Sequence, residues 1–408
     1  MSNAGGSYEA IVIGAGAVGA STALHLAKAG VRTLVIEKER SPAVHQSGRN
    51  SGVIHAGYNL KPGSKKAIYC VEGNRRLRAY CHENGIPILE GGILIVARIE
   101  SELEVIQELK SRAVENGVAA KVVDEQEIRE IEPHAHGIGA LHAPEGASFD
   151  TEAYVHRLML DATSAGATAS YGARVHAIRD PSLAGSNGRE LIVETSVGSF
   201  KTRALVNCAG LHADRVAGPI AEDVRVIPFR GYYAELVPSK THLVQSHVYS
   251  APDLTFPFLG VHASRWPDGR VLLGPGAMLA FGREAYRLQD FDAHDLASTL
   301  AWPGFRKLMA QPRLRSLIRS EVRKSLSLKA IWEEAHLLLP DLEPNDLVRS
   351  IAGNRAQLVS RNGEMVGDIL VRETDHAVHV LNAVSPGLTC SLPFGEYLAE
   401  RALGKLNR

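Results

Sequence analysis

Gly14, Gly16 and Gly19 stand in the pattern G-x-G-x-x-G, directly after the apolar run YEAIVIG and directly before a stretch of helical spacing over residues 17–29. This placement constrains the chain more than any other feature. The run reads as a buried strand, Gly30 as the helix stop, and VRTLVIEK (31–38) as the next strand. A strand–helix–strand unit of this kind requires a right-handed crossover and a parallel sheet. In such a turn the first glycine makes the tight bend, the second lets backbone approach a diphosphate, and the third lets helix and strand pack closely. The helix then offers free amides and its positive dipole end to the anion. Gly14, Gly16, Ala17, Val18 and Gly19 are therefore read as a dinucleotide cradle. Glu37 and Lys38 close the second strand, where a carboxylate accepts from ribose hydroxyls and disfavours a 2′-phosphate, which argues against NADP. NAD and FAD stay open on these residues alone.

The 408 residues suffice for one large domain or two interleaved ones. The 45 basic and 45 acidic residues cancel, so no global field draws the chain to nucleic acid. Cys70, Cys81, Cys208 and Cys390 are widely spaced with no CxxC pair, so neither a zinc site nor a disulfide framework is expected, and a reducing compartment is. No metal is expected; His134, His136 and His142 fall in a loop-like stretch and read as solvated. The start, MSNAGGSYEA, lacks the make-up of an export signal, and SNA reads as a cloning remnant. No apolar run approaches the ~20 residues of a membrane span. These readings give a cytoplasmic location.

Further along, residues 150–167 read as a helix, 173–178 and 191–196 as strands about a Gly/Ser/Asn turn, and 203–210 as an apolar strand ending in small residues. The tail repeats this logic, with a strand reaching a Ser-Pro-Gly turn (378–387) and a helix over 392–403. Alternating stretches such as RGYYAELV and RVLLGPGA fit an antiparallel sheet. The expected fold class is α/β. A cofactor domain is built from residues 1–88, 146–225 and 341–408. A mainly antiparallel β-sheet substrate domain is inserted as 89–145 and 226–340.

Several stretches together resemble the FAD-dependent oxidoreductases of the D-amino-acid oxidase and glycine oxidase superfamily. They are IGAGAVGASTALHLAKAG, EKERSPAVHQSGRNSGVIHAGY, KPGSKKAIYCVEGNRRL, CAGLHADRVA, PFRGYYAEL, FPFLGVHASR, VLLGPGAMLAFGREAY and NAVSPGLTCSLPFGEYLA, spanning almost the whole chain. RNSGVIHAG and PFLGVH are similar to the L-2-hydroxyglutarate dehydrogenase/oxidase branch, whereas VSPGLTCSLP matches it loosely. The resemblance implies an FAD-binding Rossmann-like domain of the glutathione-reductase type. It implies that Ser47, Arg49, Asn50, Ser51 and Gly52 run from the diphosphate toward the flavin, and that the Val175 backbone meets the adenine. It further implies that Ala209 and Gly210 pass the middle of the nucleotide, and that Gly387, Leu388 and Thr389 lie at the pyrimidine edge. That last turn also begins a helix, whose amides and dipole favour negative charge on a reduced ring.

Oxidation of a 2-hydroxy acid needs a base for the hydroxyl proton and cationic partners for carboxylate. His55, after the flavin-contacting RNSG, is the leading base; a structural histidine and a covalent flavin link are its rivals. His262 comes second, as base or as a distal-carboxylate contact, against a strand histidine with satisfied bonds. Arg355 matches the carboxylate-binding arginine of the superfamily's amino-acid oxidases. Arg230, in the shared FRGYY, reads more as structural than as a substrate contact, and Tyr58 and Tyr249 offer hydroxyls or simple packing. Residues 301–330 carry Arg306, Lys307, Arg313, Arg315, Arg319, Arg323, Lys324 and Lys329 against a single acid, Glu321. This reads as a solvated helical face or as peripheral attachment to the inner face of an anionic membrane.

The implied reaction is oxidation of a 2-hydroxy acid, foremost L-2-hydroxyglutarate. The alternative is a glycine oxidase-like amino acid or amine oxidase, and a non-catalytic flavin scaffold is a third class. The electron acceptor is oxygen, or a quinone or electron-transfer protein.

Overall fold

The computed structural model describes residues 5–181, 190–254, 260–383 and 385–407, with the side chains of 313 and 315–317 left aside. Most of the turn expected between strands 173–178 and 191–196, the FPFL of FPFLGVHASR, Val384, and the side chains of Arg313 and Arg315 lie outside the described residues.

The chain opens with strand β1 (Ser7–Ile13), helix α1 (Ala17–Lys28) and strand β2 (Thr33–Ile36). Strand β1 pairs parallel with β2 and, on its other side, with Gly198–Asn207. This sheet has eight strands among the described residues and runs through Val175–Arg179, Leu191–Thr195, Gly198–Asn207, β1, β2 and Thr168–Ser170. Ala377–Asn382 joins it parallel to Gly198–Asn207 and carries Leu370–Glu373. The central strands are buried on both faces, which is why they read as continuous apolar runs. Helix α1, the helix Thr151–Ser164 and the C-terminal helix Ser391–Leu406 close one face around Leu24, Leu158 and Phe394. Asp150 caps the second of these, its side chain accepting from Ala153 N at 2.9 Å.

A second, mainly antiparallel sheet has nine strands among the described residues. Its long central pair is Val224–Leu236 with Leu347–Ser360. His262–Arg265 and His247–Ser250 lie beside one another further along, and His247–Ser250 pairs parallel with Ile93–Ala97. Residues 341–408 thus serve both sheets: the chain returns to the first only at Leu370–Glu373. A third, three-stranded sheet holds β3 (Val53–Ile54) against Ala147–Phe149. It leads the chain from the glycine turn to helix α2 (Lys65–Glu83). His142 lies on the strand Gly139–Ala143, half-buried, so it is not the solvated loop residue that its sequence context implies. No helix among the described residues is long and apolar enough to cross a membrane.

The glycine turn is held by backbone meeting backbone. Gly14 has φ +101°, in the left-handed region that favours glycine. A Cβ on Gly19 would lie 2.0 Å from the Gly14 carbonyl oxygen. Gly19→Ala therefore forces main chain apart, and a loss of about 1–3 kcal/mol is expected in urea unfolding. Wild-type stability in that variant would contradict the packing described.

Candidate active site

One cavity of about 1290 Å³ is lined by the glycine turn, by most of the segment from Ala43 to His55, by the 208–212 turn, and by strand residues of the second sheet. Ordinary small-ligand pockets hold roughly 300–1,000 Å³. There is room here for a dinucleotide and a small substrate together.

At its nucleotide end, Gly14, Gly16, Ala17, Val18 and Gly19 form the wall. Gly16 is the N-cap of α1 and leaves it without a side-chain cap, so the first turn of the helix faces the cavity with its dipole. Glu37 is pinned from two sides: Oε2 accepts from Ala15 N at 2.8 Å and Oε1 from Glu39 N at 2.9 Å. Each carboxylate oxygen keeps acceptor capacity for a ribose hydroxyl. Lys38, Val175, Ala209 and Gly210 line the same end.

The HQSGRNSG segment folds into a compact turn. Asn50 Nδ2 donates to Gln46 O at 3.1 Å and Ser47 O at 2.7 Å, while its Oδ1 accepts from Gly52 N at 2.8 Å. Ser47 Oγ accepts from Ala17 N at 3.0 Å, which joins this turn to α1. Ser47, Arg49, Asn50 and Ser51 line the cavity. Gly52 does not; it sits behind the wall at φ +69° against Trp266.

At the far end the structure brings His55, His262 and Arg355 to one cavity with Gly387, Leu388 and Thr389. Strand β3 delivers His55, whose backbone N donates to Thr389 Oγ1 at 3.2 Å and whose carbonyl accepts from Asn74 Nδ2 at 3.1 Å. His262 starts the strand His262–Arg265. Its Nδ1 lies 3.0 Å from Gly260 O, and a carbonyl can only accept, so Nδ1 carries the proton. The other nitrogen, Nε2, is left as an acceptor. The ring stacks on Tyr249 at a centroid distance of 4.1 Å and 25°.

Three other residues read from the sequence lie off the wall. Tyr58 and Tyr249 are buried behind it, at 2% and 1% exposure. Arg230 is fully buried; its Nη1 donates to Ala285 O at 3.2 Å and Arg287 O at 2.5 Å, and the guanidinium lies over Tyr232. Conversely, Gln46, Lys66, His212, Tyr233 and Glu284 line the cavity and were missed. Gln46 sits inside HQSGRNSG and Glu284 inside GREAY, so context alone pointed to them, with no local spacing to single them out.

Burial pushes His55 down to about 4 and His262 to about 3, and the buried His247 behind them to about 3. Burial also lowers Arg355, whose guanidinium stays charged. This end of the cavity thus brings neutral imidazoles together with a half-buried cation. In the unfolded chain these histidines titrate near 6.5. Their folded values lie below that, so the unfolded state binds more protons between about 6.5 and 3. The stability they contribute is present above pH 6.5 and lost as the pH falls through that window. Melting temperature should fall from pH 7 to pH 5, and replacement of His247 by Asn should flatten the slope. A melting temperature that is flat or rises on acidification would contradict the burial.

Comparisons with known proteins bear on the family and the fold. The family model described as FAD dependent oxidoreductase (DAO) matches residues 9–401. An L-2-hydroxyglutarate dehydrogenase from Indibacter alkaliphilus is 37% identical over 402 residues, covering 97% of this chain and 99% of the relative. One from Escherichia coli K12 is 35% identical, covering 97% and 93%. The human mitochondrial enzyme of that name is 34% identical, covering 97% and 88%. Among solved structures, FAD-bound L-α-glycerophosphate oxidase from Mycoplasma pneumoniae superimposes with TM-score 0.78 at 22% identity, covering 98% and 95%. Glycine oxidase from Geobacillus kaustophilus does so with 0.72 at 19%, covering 97% and 95%.

Proposed function

The chain belongs to the DAO family of FAD-dependent oxidoreductases, and from that premise we propose that it oxidises L-2-hydroxyglutarate to 2-oxoglutarate. Full-length similarity to dehydrogenases of that name supports the substrate. The single observation that carries the chemistry is the meeting of two neutral histidines and a half-buried arginine at one cavity.

FAD, when bound, supplies the hydride acceptor. The chain's own residues bind, orient and move the proton. Arg355 pairs with the carboxylate next to the reacting carbon, where its planar fork fixes the substrate's orientation. A second carboxylate calls for a second cation, and Lys66 and Arg112 line the same cavity. His262 takes the hydroxyl proton at Nε2, because its Nδ1–H is committed to Gly260 O. His55, ranked first on sequence, lacks such a fixed tautomer and orients the hydroxyl beside it. A dianionic substrate raises the affinity of a neighbouring imidazole for a proton, so a base that is weak in the free protein gains strength as substrate binds.

This reading separates alcohol from amine oxidation, since a free amine needs no base for a hydroxyl proton. His262→Asn should lower kcat for the hydroxy acid by about 10²–10⁴. Arg355→Met should raise KM, with kcat/KM down by about 10–100-fold. Steady-state kinetics check both, and wild-type values in both variants would refute the assignment.

The helices Pro303–Ala310, Pro312–Leu326 and Leu328–Ala335 expose Arg306, Lys307, Arg319, Arg323, Lys329 and Leu326. Their buried Lys324 is neutralised by Glu321 and Glu334. We read the exposed cations as a peripheral contact with anionic lipid, where a quinone or electron-transfer protein takes the electrons; oxygen is the alternative acceptor. Co-sedimentation with phosphatidylglycerol vesicles, but not with phosphatidylcholine vesicles, is expected. Equal recovery with both contradicts it.

A further inference from the structure

Residues 280–292 leave the second sheet and dock on the nucleotide side through two neighbouring side chains. Arg283 is buried: its Nη2 donates to Asp214 Oδ2 at 2.8 Å and its Nη1 to the Leu211 carbonyl, while Asn354 Nδ2 donates to its carbonyl at 2.9 Å. Glu284 lies at the cavity wall. Its Oε1 is 2.6 Å from Lys38 Nζ, just after β2, and 2.7 Å from His212 Nε2, just after Gly210. Lys38 also meets Glu39 Oε1 at 2.5 Å and His45 Nε2 at 2.7 Å, and His45 Nδ1 lies 2.6 Å from Tyr286 OH. Glu39, His45 and Glu284 are close enough to hold a metal ion, but the Lys38 ammonium supplies the cation among them.

Lys38, His45, His212 and Glu284 all line the cavity. Lys38 follows the carboxylate that faces the ribose, and His212 ends the turn that passes the middle of the nucleotide. Glu284 is the one member contributed by the substrate side. Burial alone would raise its carboxyl, but the bonds from His212 and Lys38 outweigh that and hold it well below the usual range. It is ionised at any working pH.

We propose that Glu284 is a latch for the bound cofactor: it ties Lys38 to His212 across the cavity wall, so FAD departs only when these contacts open. The latch rests on the assignment of this cavity to FAD. Arg283 keeps the segment docked through Asp214 whether or not Glu284 is charged, so the latch can be tested without releasing the loop.

The test follows FAD release from the holoprotein by recovery of flavin fluorescence. Glu284→Gln and Lys38→Met should each speed release about tenfold. The double variant should release no faster than either single one, because both remove the same contact. High salt should speed release from wild type and leave Glu284→Gln little changed. Melting of the Glu284→Gln apoprotein should fall only slightly, because Arg283 keeps the segment docked, while release speeds about tenfold; a merely structural ion pair would lower melting and leave the release rate unchanged. Release from Glu284→Gln at the wild-type rate overturns the latch, and so do effects of the two substitutions that add in full. Should Glu284→Gln fail to fold, Lys38→Met and the wild-type salt dependence decide. Failure of wild type to take up FAD would instead remove the cofactor assignment, and is distinguishable at once.

Discussion

Between Gly14, Gly19 and Cys208 there is no space for one added carbon. A Cβ on Gly14 would stand 2.6 Å from the Cys208 carbonyl oxygen, and one on Gly19 would meet Gly14 itself. That backbone contact sets where β1 ends, where α1 begins and how close the 208–212 turn lies. Because the main chain occupies the ground that side chains would take, a diphosphate can reach the amides at the helix start. Ser47 then attaches the HQSGRNSG turn to α1, and that turn hands the chain to β3 and His55. The His55 end of the cavity is positioned by what happens at its other end.

The end that holds His55, His262 and Arg355 rests on a different balance. Burying imidazoles costs free energy if they are charged and little if they are neutral and bonded. The fold keeps His55 and His262 neutral by burial and spends the site's charge on Arg355. In the proposed reading an anionic substrate binds beside Arg355 and strengthens the adjacent imidazole as a base. Tyr249 and the Gly260 carbonyl hold the His262 ring so that Nδ1 carries the proton and Nε2 is left as the acceptor. The latch proposed at Glu284 joins the two halves in the same manner, with a carboxylate from one sheet's loop meeting Lys38 and His212 beside the other sheet.

Much of this was legible in the amino-acid order wherever the signal was local. The glycine spacing, the apolar run before it and Glu37 after it announce a nucleotide cradle, because each role follows from near neighbours in the chain. His55 and His262 were legible as candidates because both sit in distinctive stretches. Arg230 read as structural more than as a substrate contact, and it is; only its partners, the Ala285 and Arg287 carbonyls more than fifty positions away, were beyond the reach of FRGYY. Leu347–Ser360 is a second case, since its alternation suits either sheet and only its pairing with Val224–Leu236 assigns it. Glu284 was unreadable for the same reason: its partners at 38 and 212 come from separate segments that meet only in three dimensions.

The central claim is that this cavity joins FAD to a hydroxy acid at His262 and Arg355. Anaerobic mixing of the yellow holoprotein with L-2-hydroxyglutarate, its D-enantiomer, glycine and sarcosine, followed by flavin absorbance, tests it most directly. The account predicts rapid bleaching by L-2-hydroxyglutarate and none by the others. Bleaching by the amines with no response to L-2-hydroxyglutarate would contradict it.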